Sequence, residues 1–143
     1  MADFLVILRL YVVLHVLLHA HACWEEEKIV LLKLKDAFNY PNGTSLSSWG
    51  GEERDCCKWE MVGCSELTKH VIKLSLNNTR VNNNGFFLES SLFHPFEELH
   101  ELRLDGNSIK GFYGVLRLKK LQMLDLSFNR LIEPSAVSIR LLV

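Results

Sequence analysis

The sequence predicts an α/β fold in which a helical cap, stapled by disulfides, precedes a short stack of parallel strands. Three features predict it: an apolar stretch at the N-terminus, four cysteines beyond that stretch, and leucines that recur along the second half. The 143 residues suffice for one small domain or a few structural repeats. The 16 basic and 17 acidic residues nearly balance and form no basic stripe, so the charge pattern does not favour nucleic-acid binding.

Residues 1–22 are predicted to be a signal peptide. An apolar run from Leu10 to Leu18 is followed by Ala20-His21-Ala22, whose small residues suit a signal-peptidase site. The run is shorter than the about 20 residues that a membrane span requires. An uncleaved anchor or a buried apolar helix is the alternative interpretation. We expect cleavage before Cys23, with the chain secreted or held at the extracellular face of the plasma membrane.

Secretion places four cysteines in an oxidising compartment, where thiols form disulfides: Cys23, Cys56, Cys57 and Cys64. A bond between the neighbours Cys56 and Cys57 would close a strained ring. Two pairings remain, Cys23–Cys56 with Cys57–Cys64 or Cys23–Cys57 with Cys56–Cys64. In both, one bridge holds the mature N-terminus and a short bridge closes the segment DCCKWEMVGC.

Two chemical functions for the cysteines are disfavoured by their surroundings. Zinc held by Cys56, Cys57, Cys64 and His70 would lack the paired C-x2-C spacing of structural zinc sites. A cysteine nucleophile would need an activating motif with a base, and none surrounds these residues. His94 and His100 are equally isolated from any nucleophile or metal-ligand set. We therefore expect no metal, no cofactor and no enzymatic activity.

The segment Glu25–Phe38 is predicted to be helical because its apolar residues recur three and four positions apart. The residues predicted to share its apolar face are Val30, Leu34, Ala37 and Phe38. The three leading glutamates suit the positive end of the helix dipole. Pro41 ends the helix by forcing Tyr40 out of helical geometry. Trp49 and Trp59 are expected to pack in the small core, with ligand stacking as the alternative.

A repeated pattern begins near residue 71. The pattern L-x-x-L-x-L-x-x-N-x-L is complete in 99–109 and again in 121–131, which lies 22 residues further on. The same register runs 28 residues backward, where Thr79 takes the place of the asparagine. Spacing, residue type and recurrence together define leucine-rich repeats, which form a solenoid with one short strand per repeat. The leucines are then expected to point inward.

Two further roles follow from the pattern. The side-chain amides of Asn107 and Asn129 can satisfy backbone groups at both ends and so form a ladder along the stack. Ile109 and Leu131 are expected to fold back under the core. The residues between the leucines should face solvent on what we name the concave face, a surface of the kind that binds proteins or peptides. Its members are Lys73, Ser75, Glu101, Arg103, Asp105, Met123, Asp125 and Ser127. A merely solvated face is the alternative.

The stretches CWEEEKIVLLKLKDAFNYPNGTSLSSWG and DCCKWEMVGC resemble the N-terminal cap of plant extracellular leucine-rich-repeat proteins. The chain is most similar to the receptor-like proteins, whose early repeats resemble SLFHPFEELHELRLDGNSIKG. Polygalacturonase inhibitors and receptor-like kinases share the cap. The chain is thus expected to comprise a signal peptide in 1–22, the cap in 23–66, about three repeats in 70–131 and an uncapped tail in 132–143, with the resemblance covering residues 23 to about 131. The resemblance also implies the pairing Cys23–Cys56 with Cys57–Cys64. Phe112-Tyr113 departs from the usual Ile-Pro of the plant repeat.

The resemblance implies an extracellular module that recognises a protein or peptide, in plant defence or developmental signalling. A secreted inhibitor of cell-wall-degrading enzymes, like the polygalacturonase inhibitors, is the alternative. The chain carries neither a kinase motif nor a span after the repeats, so we expect a truncated receptor ectodomain. The family also implies a co-receptor kinase as partner. An open apolar end should favour self-association.

Two sequons predict N-glycosylation in this compartment, at Asn42 and Asn77. Asn42 lies on the predicted turn after the cap helix, and we expect it to be used. The repeat register puts Asn77 on the concave face, where a glycan would cover part of the ligand surface. Either ligands bind at the later repeats or Asn77 is unmodified.

Overall fold

The computed structural model describes residues 2–19 and 22–132. Its helices are α1 (Ala2–His19) and α2 (Glu25–Asn39), and its strands are β1 (Val62–Cys64), β2 (Val71–Ser75), β3 (Phe86–Glu89), β4 (Glu101–Arg103), β5 (Ile109–Tyr113) and β6 (Met123–Asp125). Short 3-10 turns occupy Cys56–Lys58 and Ser90–Phe93. The predicted α/β class is confirmed, with a helical cap and a short parallel sheet.

The N-terminal stretch forms helix α1, whose large apolar side chains from Phe4 to Leu17 are exposed. Among the described residues, no helix is long and apolar enough to cross a membrane. Ala20 and His21 lie outside the described residues, as does the end of the predicted tail from 133 to 143. The predicted cleavage site and most of the tail are therefore not described.

Helix α2 is the centre of the cap. It begins at Glu25, as predicted, and runs one residue past the predicted end, with Tyr40 extended before Pro41. The buried residues on its inner face are Glu27, Val30, Leu31, Leu34 and Phe38. Leu31, which the predicted apolar face omits, is fully buried. The buried face is therefore formed by residues spaced three and four positions apart, and one of them is a glutamate.

The disulfides staple the loop that follows α2. Cys23 is bonded to Cys56 and Cys57 to Cys64, which is the pairing that the resemblance implies. Asp55 orders the turn between the bridges, because its Oδ1 accepts from the amides of Cys23 at 3.0 Å and Cys57 at 3.1 Å. This leaves no thiol available for metal binding or catalysis.

The two tryptophans pack together in the cap, as predicted. The rings of Trp49 and Trp59 stack with centroids 5.8 Å apart, and both side chains are buried. Each indole N–H donates to a backbone carbonyl at 2.8 Å, that of Trp49 to Glu60 and that of Trp59 to Glu53. Because both faces and both polar ends are engaged, these rings serve packing and are not ligand platforms.

The main sheet has the strand order β1-β2-β4-β6. β1 runs antiparallel to β2 and closes the sheet on the cap side. β2, β4 and β6 are parallel, and their register aligns Lys73, Glu101 and Met123. Leu74 and Leu102 are fully buried in this sheet, and Leu124 is partly buried against the same core. The repeat pattern therefore corresponds to consecutive parallel strands.

The asparagine ladder is also confirmed. Asn107 is fully buried, and its Oδ1 accepts from the amides of Thr79 and Arg80 at 2.9 Å each. Its Nδ2 donates to the carbonyls of Leu76 and Leu104. Asn129 repeats the arrangement one unit later, where its Oδ1 accepts from the amides of Asn107 and Ile109. Each asparagine thus satisfies the backbone turn of the preceding repeat.

A second sheet was not predicted. β3 and β5 pair in parallel, and the paired residues Leu88 and Phe112 are both buried. Gly111 permits the close approach, since a Cβ there would lie 3.3 Å from the ring of Phe87. Phe112-Tyr113, where the resembling family has Ile-Pro, is thus the end of a strand.

One predicted core residue is exposed. Ile109 is fully buried, as expected, but the prediction for Leu131 is wrong, because 48% of its surface is exposed. In Ile109 the side chain is covered by the following repeat. No described segment packs over Leu131, Ile132 or Phe128 in the same way, and all three are exposed.

Candidate ligand-binding face

The main sheet brings the eight predicted residues of the concave face together. The strands alternate inward leucines with outward residues, so that Lys73 and Ser75 flank the buried Leu74. Parallel register then aligns Ser75 with Arg103 and Arg103 with Asp125. The alignment continues past the strand ends, where the amide of Gly106 donates to the carbonyl of Ser127 at 3.0 Å.

The first row across the face joins charge to an apolar group. Lys73 Nζ lies 3.0 Å from Glu101 Oε1, which links neighbouring repeats. Met123 continues the row and is 38% exposed. A thioether is flexible and polarisable, so it adapts to varied partner surfaces.

The second row is centred on Arg103. Its Nη2 lies 3.7 Å from Asp125 Oδ2, and its Nε lies 3.8 Å from Asp105 Oδ1. Neither Arg103 Nε nor Asp105 Oδ1 has a hydrogen-bond partner, although both atoms are shielded from solvent. The guanidinium thus lies at ion-pair distance from two carboxylates, and its Nε–H makes no hydrogen bond.

Asp125 is kept ionised by its neighbours. The hydroxyl of Ser127 donates to Asp125 Oδ1 at 2.6 Å, and the amide of Ser127 donates to the same oxygen at 3.0 Å. These bonds, with a smaller contribution from Arg103, lower the pKa of the Asp125 carboxyl below its ordinary value. The face therefore presents fixed charges of both signs at defined positions.

The two sequons lie in different surroundings. Asn42 is exposed on the turn after α2. Asn77 is partly buried two residues beyond the end of β2, and the hydroxyl of Thr79 in the same sequon donates to its carbonyl at 3.4 Å. Glycosylation at either residue stays a prediction.

A buried contact between the cap and the repeats was not predicted. Glu27 is 1% exposed and contacts His70, which directly precedes β2. The sequence pattern assigned Glu27 only to the helix dipole and gave His70 no partner. A signal was present, because Glu27 shares its spacing with Leu31, Leu34 and Phe38 on the inner face of α2.

Among the described residues, the ring of His94 hydrogen-bonds only to backbone. His94 Nε2 lies 3.2 Å from the carbonyl oxygen of Val115, and the cysteines are all in disulfides. Across residues 2–19 and 22–132, no group of histidine, cysteine and acidic side chains could hold a metal ion. The zinc interpretation is wrong because its three cysteines are consumed by the bridges.

A stapled helical cap followed by leucine-patterned parallel strands defines the class of extracellular leucine-rich-repeat proteins. Residues 25–65 match the family described as leucine rich repeat N-terminal domain. The chain belongs to the plant leucine-rich-repeat receptor-like proteins. The chain spans only 11–12% of the length of the curated receptor-like proteins that it matches first, so it corresponds to a small part of such receptors.

The chain is similar to curated proteins of Solanum lycopersicum and Arabidopsis thaliana. The chain is 36% identical over 119 residues to Cuscuta receptor 1 of Solanum lycopersicum. The alignment covers 76% of this chain and 11% of the relative. The chain is 37% identical over 116 residues to receptor-like protein 9a of Arabidopsis thaliana, covering 76% of this chain and 12% of the relative. Receptor-like protein 14 of Arabidopsis thaliana is 32% identical over 123 residues, covering 75% of this chain and 12% of the relative.

Among solved structures, the chain is similar to the crystal structure of a plant ice-binding protein. The TM-score is 0.47 and the sequence identity 26%, with 75% of this chain and 41% of that chain covered.

Proposed function

We propose that this chain is an extracellular recognition module whose concave face binds a protein or peptide ligand. The observation that carries the proposal is the outward row of Lys73, Glu101 and Met123 beside Arg103 and Asp125, because it combines fixed charges with an adaptable apolar group. Interfaces gain orientation from such charges and affinity from apolar contacts. The family and the disulfides support an extracellular or membrane-surface location.

The wider role is signalling at the plant cell surface, in defence or development. The relatives support it at the level of family, since they are receptor-like proteins. The stacking of repeats into a solenoid fits the parallel register of β2, β4 and β6. A co-receptor kinase completes this proposal as a second partner, which would convert ligand binding into a signal.

Two processing events belong to the same proposal. Residues 1–22 act as a signal peptide that is removed before Cys23, and an N-glycan is attached at Asn42. The exposed apolar side chains of α1 and the exposed turn at Asn42 support a leader helix and an accessible sequon. Peptide mass mapping after deglycosylation in heavy-oxygen water tests both, and an unprocessed N-terminus or an unmodified Asn42 would contradict the corresponding event.

The exposed apolar residues that follow β6 support self-association. Phe128 is 90% exposed, and Leu131 and Ile132 are about half exposed. Sedimentation equilibrium of the chain and of the variant Phe128→Asp tests this step. We expect a concentration-dependent dimer that Phe128→Asp weakens, and a monomer at all concentrations would contradict it.

Site-directed photo-crosslinking tests the binding face. A photoreactive amino acid replaces Met123 in the chain expressed with its own leader in plant cells. The matched control places the same group at Leu67, which is 95% exposed but lies in the cap. We expect a discrete protein or peptide adduct from position 123, competed by unlabelled chain and lost when Arg103→Glu is added. Equal adducts from both positions would show that the concave face has no special role.

A further inference from the structure

The cap and the first repeat meet at one buried carboxylate. Glu27 Oε1 lies 3.0 Å from His70 Nδ1, and Glu27 Oε2 accepts from the amide of Val71 at 3.0 Å. Glu27 is 1% exposed, whereas the side chain of His70 is 24% exposed. A single side chain of α2 therefore holds both the residue before β2 and the first residue of β2.

The other face of His70 is covered by Trp24. The two rings are stacked with centroids 4.4 Å apart and planes 10° apart, and the indole N–H of Trp24 donates to the carbonyl of Thr68 at 2.9 Å. Trp24 directly precedes α2. The imidazole is thus held at Nδ1 by a carboxylate and covered on one face by an aromatic ring, both supplied by the cap.

His70 also belongs to a row that runs along the repeats. The strand register that aligns Lys73 with Glu101 and Met123 makes His70, Glu98 and Lys120 equivalent positions. Lys120 Nζ lies 2.6 Å from Glu98 Oε1. The row from the cap onward is therefore Glu27, His70, Glu98 and Lys120, in which carboxylates alternate with basic side chains.

We propose that the Glu27–His70 contact is an acid-strengthened latch between the cap and the first repeat. Docking of the cap takes up a proton at this pair, so mild acid tightens the junction and higher pH loosens it. The proton can sit on either partner, because Oε1–H can donate to Nδ1 and Nδ1–H can donate to Oε1. This role is independent of the proposed ligand.

The direction of the pH dependence follows from the burial of Glu27. Burial raises the pKa of the Glu27 carboxyl above its ordinary value of 4.5, and the hydrogen bonds from Val71 and His70 offset only part of this effect. The docked state therefore binds the proton more tightly than the unfolded chain does. The resulting stabilisation is fully present below the ordinary pKa and is lost as the pH rises through the pKa of the docked state.

Other charged groups modulate the latch without replacing it. The charge of Glu98 adds to the rise in the pKa of Glu27. Glu98 itself remains ionised, because the hydrogen bond from Lys120 lowers its pKa, and His70 and His100 contribute in the same direction. Lys73 and Glu101 follow His70 and Glu98 by three residues and form an ion pair with each other. The pair Glu27–His70 is the contact that joins the cap to this row.

Amide hydrogen exchange at Val71 reads the latch directly, because its N–H is held by Glu27. The protection factor, corrected for intrinsic exchange, is measured in the full chain between pH 4.5 and 7.5. We expect protection to rise several-fold toward the acidic end. Its upper limit is about tenfold for each pH unit that separates the pKa of the docked state from that of the unfolded chain. A protection factor independent of pH would overturn the proposal.

Two variants assign the effect. Glu27→Gln keeps the shape and can still accept from the Val71 amide, but it removes the titrating carboxyl, so protection at Val71 should no longer rise toward acid. Glu26→Gln removes an exposed carboxylate from the same helix and should keep the full dependence. An undiminished dependence in Glu27→Gln would refute the latch. If Glu27→Gln does not fold, the carboxyl carbon of Glu27 is titrated in the unchanged chain, where a midpoint at the ordinary value would refute it equally.

Discussion

The backbone amide of Asn107 donates to the side-chain oxygen of Asn129 at 3.0 Å, so each asparagine organises the turn of the repeat before its own. The same relation links Thr79 to Asn107 at 2.9 Å. The turns are thereby connected in series. Loss of one asparagine side chain leaves backbone groups of the preceding repeat without hydrogen-bond partners.

Replacing Asn107 with alanine should destabilise the chain strongly. The side chain is fully buried, and its loss leaves the amides of Thr79 and Arg80 and the carbonyl of Leu76 without partners. Each orphaned buried group costs about 1–3 kcal/mol, so we expect a loss of about 3 kcal/mol after relaxation. Urea denaturation measures it. Asn84→Ala, at an exposed asparagine, is the control and should change stability little; similar losses in both variants would contradict the ladder.

The loss of stability on replacing a tryptophan should depend on how deeply its ring is buried. Trp49→Ala removes a ring that is 1% exposed and stacked on Trp59, so we expect a cost of about 3–5 kcal/mol. Trp24→Ala removes a ring that is 52% exposed and should cost clearly less. Thermal unfolding at constant pH ranks the two variants. The reverse order would mean that the cap core is not centred on the tryptophan pair.

The charged residues of the concave face should be dispensable for folding. Lys73 and Glu101 form an ion pair whose side chains are 52% and 25% exposed, and such pairs contribute about 0–1 kcal/mol. We expect Lys73→Ala and Glu101→Ala to unfold within about 1 kcal/mol of the original chain. Leu102→Ala, on the buried side of β4, should cost about 2–5 kcal/mol in the same denaturation experiment. A large loss in the ion-pair variants would assign these residues to stability instead of binding.

Ser127→Ala should raise the pKa of Asp125 toward its ordinary value of 3.8, because the hydroxyl bond is the largest cause of the depression. A depressed carboxyl pKa contributes stability above the ordinary pKa, and this contribution is lost as the pH falls through the folded-state pKa. In Ser127→Ala the acid-induced loss should therefore begin at higher pH. Carbon-detected titration of the carboxyl measures the change. Ser91→Ala, whose hydroxyl donates to Glu89, should leave Asp125 unchanged, and an unchanged midpoint in Ser127→Ala would contradict the assignment.

Much of the fold could be predicted from local pattern. The spacing of Leu102, Leu104 and Asn107 predicts a strand followed by a buried turn, because alternate residues of a strand share a face. Pro41 predicts the end of α2 by steric exclusion of the preceding residue from helical geometry. The outward positions of β2, β4 and β6 followed from the same alternation.

The second sheet could not be predicted in this way. Phe86–Glu89 carries no repeat signature, and its pairing with Ile109–Tyr113 depends on the close approach at Gly111. Such pairing joins segments more than 20 residues apart. The prediction that Leu131 is buried was wrong for a related reason. A sequence pattern shows which side chains are apolar, but it does not show whether a neighbouring segment covers them.

The sequence by itself determined the repeat register, the position of the cap helix and the outward residues of the strands, because each depends on periodicity within a short segment. The tertiary structure alone decided the environment of Glu27, which is 43 residues from His70 and 44 from Val71 in sequence. A glutamate at the start of a helix is ordinarily solvated and stabilised by the helix dipole. Only the packing of α2 against the first repeat buries this carboxylate and supplies the partners that its burial requires.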